Sequence, residues 1–261
     1  MKSKWLKNLF VGLVFLFLYL PIIILIIFSF NKSKMNIIFN GFTLSWYKNL
    51  FFNSELLNAF VNTMIIAVSS TIISTVIGTM GAVGLNKYDF PFKGIINKLI
   101  YIPIVIPEIV LGISLLSMYT LMKLELGMFT LILSHIAFSI PFVIVSVRST
   151  LSYELKTYEE AAQDLGAGKF MTFFKITLPS IMSGVVSGAT LAFTLSMDDV
   201  VISYFTAGPS SNTLPLKIYS MIKTGITPDV NALSTLMLFI TMIVLTCFAF
   251  IQSRKIVRGA R

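Results

Sequence analysis

The sequence predicts an all-α integral membrane protein with six transmembrane helices and both termini in the cytoplasm. Hydrophobic residues make up 56% of the 261-residue chain and charged residues only 12%, about half the charged share of a typical soluble domain. Apolar runs of about 20 residues cross the roughly 30 Å hydrocarbon core of a bilayer. Six such runs occur, at residues 8–30, 60–85, 96–121, 127–148, 180–205 and 230–253. Residues 1–261 are therefore predicted to form a single transmembrane domain, with external loops at 31–59 and 206–229.

The first run, 8–30, follows a basic segment, as the apolar part of a signal sequence does. Its apolar stretch is longer than that of a signal peptide and no small-residue cleavage site follows, which favours a membrane helix. Placing the amino terminus in the cytoplasm puts fourteen of the twenty Lys and Arg residues in or beside internal segments. The positive-inside rule therefore favours cytoplasmic termini and a cytoplasmic loop at 149–179. The basic residues flank apolar runs, which favours contact with anionic lipid over nucleic acid.

The external loops contain two candidate contact regions. Loop 31–59 carries Trp46, whose indole face can hold an ammonium group by cation–π attraction of about 0.5–2 kcal/mol. Aromatic residues are also enriched at the membrane–water interface, so both interpretations of Trp46 stay open. Loop 206–229 is rich in proline and glycine, and a short helix is predicted near Leu216–Ile222. This loop is a candidate contact surface for a delivery protein.

Three carboxylates fall inside the predicted spans: Glu108, Asp198 and Asp199. A charged side chain at the bilayer centre costs at least about 2.5–3.5 kcal/mol, so each is a functional candidate by default. Glu108 follows Pro103 and Pro107, which interrupt the third run, so it is predicted to begin a new outer helical segment, where the helix dipole favours an acid. At 1.5 Å per residue, the aspartates are predicted about 27 Å along the fifth span, near its outer boundary.

These acids have two interpretations. Glu108 can be a helix cap, and the aspartate pair can be exposed to water at the end of its span. Alternatively, the three acids line the outer half of a route for a cationic substrate, since negative charge attracts amines and repels phosphate or sulfate.

Single residues limit the other chemistry available to the chain. Cys247 is the one cysteine and His135 the one histidine, so an internal disulfide or a multi-histidine metal site within this chain is excluded. Both fall in predicted spans, and a hydrogen bond between helices is predicted for His135. No GxxxxGK followed by Ser or Thr occurs, so the chain is predicted to bind no nucleotide cofactor itself. A membrane-embedded enzyme is disfavoured because one buried histidine offers little as a catalytic base.

The cytoplasmic loop contains the segment EAAQDLGAGKFMTFFKITLP, from Glu160 to Pro179. Thr157 and Glu160 have the spacing of a capping box, which predicts that a helix starts there. Gly166 is predicted to end that helix in a left-handed conformation, and Pro179 to lie in the first turn of the next span. The loop is thus predicted to form a helix, a turn and a second helix.

The positions that carry a signature in this loop are Glu160, Ala161, Ala162, Gly166, Ile176, Leu178 and Pro179. Their spacing resembles the EAA signature of ABC importer permeases. The resemblance implies the MetI-like permease fold of type I ABC importers. It also implies that the loop is a coupling helix seated in a groove of a cytoplasmic ATPase. The two small alanines fit this role because they let a helix backbone approach a partner closely.

A longer resemblance runs nearly end to end and includes the segments LSMDDVV (195–201), LPLKIYSM (214–221) and PDVNAL (228–233). Here the chain resembles the permease subunits of spermidine/putrescine ABC importers. This implies inward polyamine transport across the bacterial cytoplasmic (inner) membrane, powered by ATP and Mg bound to two partner ATPase subunits. A second homologous permease and an external polyamine-binding protein are also implied. The resemblance ties Trp46, Asp198 and Asp199 to uptake, and Glu108 stands where the family has an acid.

Two alternative functions remain open at this level. The EAA loop is shared widely, so the solute can instead be an amino-acid derivative or a phosphonate. A proton-coupled secondary transporter would account for the membrane carboxylates without ATP, but it would leave the EAA loop unexplained.

Overall fold

The computed structural model describes residues 2–33, 38–224 and 228–259. Apart from one isolated bridge between Asn31 and Phe42, the regular structure in these ranges is helical. The helices are α1 (Lys2–Phe28), α2 (Ser45–Phe52), α3 (Ser54–Lys87), α4 (Lys93–Leu99), α5 (Ile102–Val105), α6 (Glu108–Leu121), α7 (Met128–Arg148), α8 (Tyr153–Asp164), α9 (Lys169–Thr172), α10 (Leu178–Ser180), α11 (Met182–Asp198), α12 (Val201–Thr206), α13 (Leu214–Thr224) and α14 (Pro228–Gly259), with a π-helical turn at Phe173–Thr177 between α9 and α10.

Between four and six helical segments are long and apolar enough to cross a membrane. The four continuous ones are Leu6–Phe28, Ser54–Lys87, Met128–Arg148 and Pro228–Cys247. Two more arise if each bent pair counts as one span: Lys93–Val105 with Glu108–Leu121, bent by 110°, and Lys169–Ser180 with Met182–Asp198, bent by 70°. Within the described residues, the six predicted spans correspond to the upper count.

The chain divides into two compact units. The first comprises residues 1–58 and 217–243, and the second comprises 59–216 and 244–261. Trp46 belongs to the first unit, whereas the three acids and the cytoplasmic loop belong to the second.

The core of the second unit depends on close approach between α3, α7 and α11. A Cβ atom at Gly184 of α11 would lie 2.8 Å from the Ser146 carbonyl oxygen, and one at Gly78 of α3 would lie 2.7 Å from Val143 Cβ. Only glycine fits at these contacts, as is typical of helices packed in membranes. The buried residues of this core include Ala82, Val143, Ile144, Val147 and Ala192.

The third predicted run bends at its prolines. Pro107 precedes the first residue of α6, Glu108, so the predicted helix start at Glu108 is confirmed. Proline has no N–H to continue a helical ladder, which explains why the bend falls here.

The fifth predicted run, 180–205, is not one continuous helix. α11 ends at Asp198, the backbone is extended at Asp199 with ψ of 126°, and α12 begins at Val201. The aspartates therefore lie at a break inside the run and not at its outer end. The break forms because Asp199 bonds the first turn of a new helix instead of continuing the old one.

The loop at 149–179, for which a cytoplasmic position is predicted, differs from the expected structure at both ends. α8 begins at Tyr153, so the helix start predicted from Thr157 and Glu160 is wrong. The helix extends further back because Leu155 and Glu159, four residues apart, share a buried face. The loop helices α9 and α10 form one stretch with the π turn, Lys169–Ser180, and the chain bends after it. Pro179 thus lies at the end of this stretch and not in the first turn of the next span.

The predicted turn after α8 is confirmed. Gly166 has φ of +88°, a value that glycine adopts without strain. The Ala167 N–H donates to the Ala162 carbonyl, and the Gly166 N–H donates to the Gln163 carbonyl, both at 2.9 Å. This pair of bonds is a Schellman motif.

Candidate functional site

The structure brings Glu108, Asp198 and Asp199 into one acidic cluster. Asp198 and Glu108 are exposed, and the charge of Asp198 lies within electrostatic range of both other acids. α6 packs against α12 so tightly that a Cβ atom at Gly112 would lie 2.6 Å from the Phe205 ring. This contact holds the start of α6 near the break in the fifth run, which explains how Glu108 and Asp198, 90 positions apart in sequence, come within electrostatic range.

Asp199 differs from its two neighbours because it is buried, with 8% of its surface exposed. Its Oδ1 accepts from the Ile202 N–H at 3.1 Å, and its Oδ2 accepts from the N–H and the hydroxyl of Ser203, each at 2.7 Å. These are the bonds of an N-terminal helix cap. Asp199 therefore caps the first turn of α12, and Asp198 and Glu108 are the acids that face the surroundings.

His135 of α7 bonds to both sides of the break. Its Nδ1 lies 2.6 Å from the Ser196 hydroxyl on α11, and its Nε2 lies 3.1 Å from the Ser203 hydroxyl on α12. Nε2 is also 3.5 Å from Asp199 Oδ2. The predicted hydrogen bond between helices at His135 is confirmed. His135 lies seven residues into α7, about 10 Å from its first residue at 1.5 Å per residue.

The direction of each hydrogen bond in this network follows from the Asp199 carboxylate. The Ser203 hydroxyl donates to Asp199 Oδ2, so its oxygen is left to accept from Nε2–H. A neutral imidazole then accepts at Nδ1 from Ser196, whose oxygen lies 3.2 Å from the Ser70 hydroxyl of α3. Every member has a partner. We call His135, Ser196, Ser203, Ser70 and Asp199 the histidine network. Sequence reasoning singled out its histidine but missed its serines, which are unremarkable in an apolar run.

An Asp–His–Ser order also occurs in serine hydrolases. Here, however, Ser196 is 3% exposed and His135 is 2% exposed, so a substrate carbonyl has no access to the hydroxyl. The contacts instead join α3, α7, α11 and α12.

Trp46 lies in α2 of the first unit and is half-buried. Its indole N–H donates to the Asn31 carbonyl at 2.7 Å. Asn31 is fully buried, its side-chain amide donates to the Ile38 carbonyl, and its Oδ1 accepts from the Asn40 N–H, both at 2.9 Å. Asn31 thus organises the loop that holds Trp46. The sequence analysis missed it, although an asparagine just past the end of an apolar run is a usual turn signal.

The signature residues of the cytoplasmic loop lie mainly on its surface. Glu160, Ala161, Gly166 and Pro179 are exposed, whereas Ala162, Ile176 and Leu178 are half-buried. Glu160 pairs only loosely with Lys156, at 3.7 Å between Oε1 and Nζ, and both side chains are well exposed.

Large apolar side chains accompany this signature on the loop surface. Tyr153, Leu165 and Phe170 are each more than 80% exposed. Apolar exposure of this kind in a polar loop is typical of a protein–protein contact.

Glu159, next to the signature glutamate, holds the loop in place. Its Oε2 accepts from Lys87 Nζ at 2.7 Å, and its Oε1 accepts from the Thr177 hydroxyl. Lys87 is the last residue of α3 and Thr177 ends the π turn, so one carboxylate joins three segments. These residues border a polar cleft of about 430 Å³. Sequence reasoning missed Glu159; the available signal was Lys87 at the inner end of the second run.

Bent apolar spans, acids inside them and an exposed EAA loop together define the permease of an ABC importer. Comparison with known proteins agrees: the chain belongs to the family of binding-protein-dependent transport system inner membrane components, whose family model matches residues 74–261. Family and fold are those of a membrane component that does not itself catalyse ATP hydrolysis.

Two curated relatives and one solved structure illustrate the similarity. The spermidine/putrescine transport system permease protein PotC of Escherichia coli (strain K12) is 43% identical over 227 residues, 87% of this chain and 86% of that protein. The putrescine transport system permease protein PotI of the same strain is 36% identical over 247 residues, 91% of this chain and 87% of that protein. A crystal structure of a bacterial ABC transporter that imports the acidic polysaccharide alginate matches with a TM-score of 0.72 over 94% of both chains. At 15% identity this last match shows the fold alone.

Proposed function

We propose that this chain is a permease subunit of an ABC importer that carries spermidine or putrescine inward across the bacterial cytoplasmic membrane. The observation that carries the proposal is that Glu108 and Asp198 are both exposed, within otherwise apolar helices, and lie within electrostatic range of each other. Similarity to the PotC and PotI permeases points to the same substrate class.

A polyamine that enters a membrane protein loses water around each ammonium group. Loss of hydration is costly for an ion unless opposite charges replace the water. Two exposed carboxylates in a low-dielectric region supply this replacement, and their attraction is stronger there than in bulk water. An anionic solute such as a phosphonate would be repelled by the same groups.

Trp46 is proposed as an outer contact for the substrate. Its indole N–H is already bonded to Asn31, so the ring face and not the N–H is the part left for an ammonium group. This fits cation–π attraction, which uses the face of the ring.

The cytoplasmic loop is proposed to couple transport to ATP. Six spans with both termini in the cytoplasm, as proposed here, would put residues 149–179 on the side where ATP is. One of two ATPase subunits, which bind ATP and Mg, would dock on the exposed loop surface. A second homologous permease would complete the channel, and an external polyamine-binding protein would deliver the substrate.

Uptake measurements test the substrate proposal. The whole transporter is expressed in a bacterium that lacks other polyamine uptake, and labelled spermidine and putrescine are offered. We expect Asp198→Asn to lower uptake about tenfold, equivalent to about 1.4 kcal/mol of lost charge stabilisation. Glu108→Gln should have a similar effect.

Glu125→Gln is the matched control, because Glu125 is an exposed acid in the short loop between α6 and α7. It should transport at the native rate. An assembled complex that hydrolyses ATP but takes up neither amine would overturn the substrate while leaving the family intact. Native uptake by the Asp198→Asn and Glu108→Gln variants would show that the acids do not line the route.

A further inference from the structure

The histidine network has no part in the proposed route, since every member of it is buried. It nevertheless surrounds the break at which the exposed Asp198 is displayed. Ser196 precedes the break and Ser203 follows it, and both bond to the same imidazole. A helix break of this kind has no internal ladder of its own to fix the angle between its two segments.

We infer that His135 is a positioning residue that sets the direction of the Asp198 carboxylate by fixing α11 and α12 to α7 at once. This inference rests on the proposed function, because it takes Asp198 to be the group that meets substrate. The imidazole is suited to this role because it is rigid and has two ring nitrogens on opposite edges. Each nitrogen bonds to a different side of the break.

Among the described hydrogen bonds around the break, those of His135 link the two segments to α7, and they add to the apolar packing of Phe138 on Ile202 and Leu195. Asp199 caps α12, but its bonds to Ile202 and Ser203 all lie within one turn of the chain. These bonds therefore do not fix the angle between α12 and α7. Thr130 of α7 bonds to the Thr206 carbonyl at 2.9 Å, which anchors only the far end of α12. Ser70 bonds to the Ala67 carbonyl within α3 and to Ser196, so across the break it anchors only α11. His135 alone, among the described side-chain bonds near the break, joins both segments directly.

Three substitutions at position 135 separate the bond to Ser196 from the bond to Ser203. Asparagine at position 135 reaches about as far as Nδ1 and can bond Ser196, whereas glutamine reaches about as far as Nε2 and can bond Ser203. Phenylalanine fills the space and bonds neither. Ser139→Ala is the matched control, because Ser139 is fully buried one turn further along α7 and its hydroxyl has no partner among the described residues.

The first readout is the concentration of spermidine that half-saturates uptake by the full transporter. His135→Phe should raise it about tenfold, the equivalent of one buried hydrogen bond. His135→Asn and His135→Gln should each have a smaller effect, and the maximal rate should change less than the half-saturating concentration. Ser139→Ala should match the native chain.

The second readout does not depend on the substrate. Asp198→Cys is made in a Cys247→Ser background, and its reaction with a charged, membrane-impermeant methanethiosulfonate is timed in the assembled complex. Adding His135→Phe should change that rate at least several-fold, while adding Ser139→Ala should not.

The outcomes are distinct. If the native chain takes up no polyamine, the proposed substrate is wrong, but the labelling rates still decide the positioning role. Unchanged labelling and unchanged half-saturation in His135→Phe would overturn the inference. Failure of all three His135 variants to assemble would also overturn it, since the histidine would then be needed for folding itself.

Discussion

The acidic cluster and the cytoplasmic loop each contain two adjacent acids, and in both places the structure divides the pair in the same way. Asp199 and Glu159 are buried, at 8% exposure each, and are bonded to other segments. Asp198 and Glu160 are exposed beside them. The buried acid of each pair fixes the local backbone, which leaves the exposed acid available to a ligand or a partner.

The two buried acids are satisfied by different groups. Asp199 accepts from two backbone N–H groups and one hydroxyl, and the nearest cationic candidate is a histidine whose contact fits a neutral ring. Glu159 pairs with the Lys87 ammonium, whose side chain is 38% exposed. An acid among neutral donors depends on all of them, whereas an acid paired to a lysine near water can exchange its partner for water. Substitutions should therefore be more damaging at Asp199 than at Glu159.

Asp199→Ala is expected to have the largest effect on stability. It removes a helix cap and leaves three buried donors without acceptors, for an expected loss of about 2–3 kcal/mol. Thermal unfolding of the purified complex in detergent measures this loss. Asp199→Asn keeps one acceptor oxygen and should lose less, and Asp198→Asn should lose almost nothing. Equal destabilisation by the changes at 198 and 199 would contradict the division between the two aspartates.

Glu159→Ala should destabilise the loop by about 1–2 kcal/mol, because a buried ion pair loses one partner but the exposed Lys87 can reach water. The pairing itself is measured by a double-mutant cycle with Lys87→Met. If Glu159 acts through Lys87, the double variant should be little worse than Glu159→Ala alone. Additive losses in the cycle would place the main role of Glu159 with Thr177 instead.

Gly166→Ala should destabilise the loop by about 1 kcal/mol, because alanine is strained at a φ of +88°. Apart from residue 166 and its two chain neighbours, no described residue has a heavy atom within 4 Å of the added Cβ, so the effect comes from the backbone. Gly166→Asn tests this reason, since asparagine tolerates the left-handed region better and should lose less. We expect both variants to insert in the membrane. Uptake should fall more than ATP hydrolysis if the turn sets the shape of the docking surface.

Local patterns in the sequence were sufficient for several features of the fold. The helix start at Glu108 follows from Pro107, and the turn at Gly166 follows from glycine's access to positive φ. Apolar runs located the first, third and fourth segments to within about three residues, but the fifth run, 180–205, missed both ends of the bent segment at 169–198. The break at Asp199 was missed because the apolar run continues through it: the cap that Asp199 forms on α12 is local, but the bonds of His135 to both sides of the break come from another helix. The helix start at Tyr153 was missed for a similar reason, since the buried contacts of Leu155 and Glu159 outweigh a capping-box pattern.

For the candidate site, residue type indicated which acids are unusual but not which are exposed. Adjacent residues such as Asp198 and Asp199 look alike in sequence, and a helix break turns one outward and the other inward. The supporting residues Asn31, Ser196, Ser203 and Glu159 are common in type and become meaningful only through their partners. Supporting contacts of this kind require the tertiary structure.

Glu160→Gln should have the smallest effect on stability and is the sharpest test of the division within the loop pair. Its contact with Lys156 is long and both side chains are well exposed, so the loss should be below about 0.5 kcal/mol. If Glu160 meets a partner ATPase, the variant should nevertheless transport less than the native chain at an unchanged melting temperature. Lys156→Gln is its control, because it breaks the same surface pair without removing the acid. Equal uptake by the native chain and Glu160→Gln would assign the docking surface to the neighbouring apolar side chains. A melting temperature of Glu160→Gln as low as that of Glu159→Ala would contradict the division between the buried and the exposed acid.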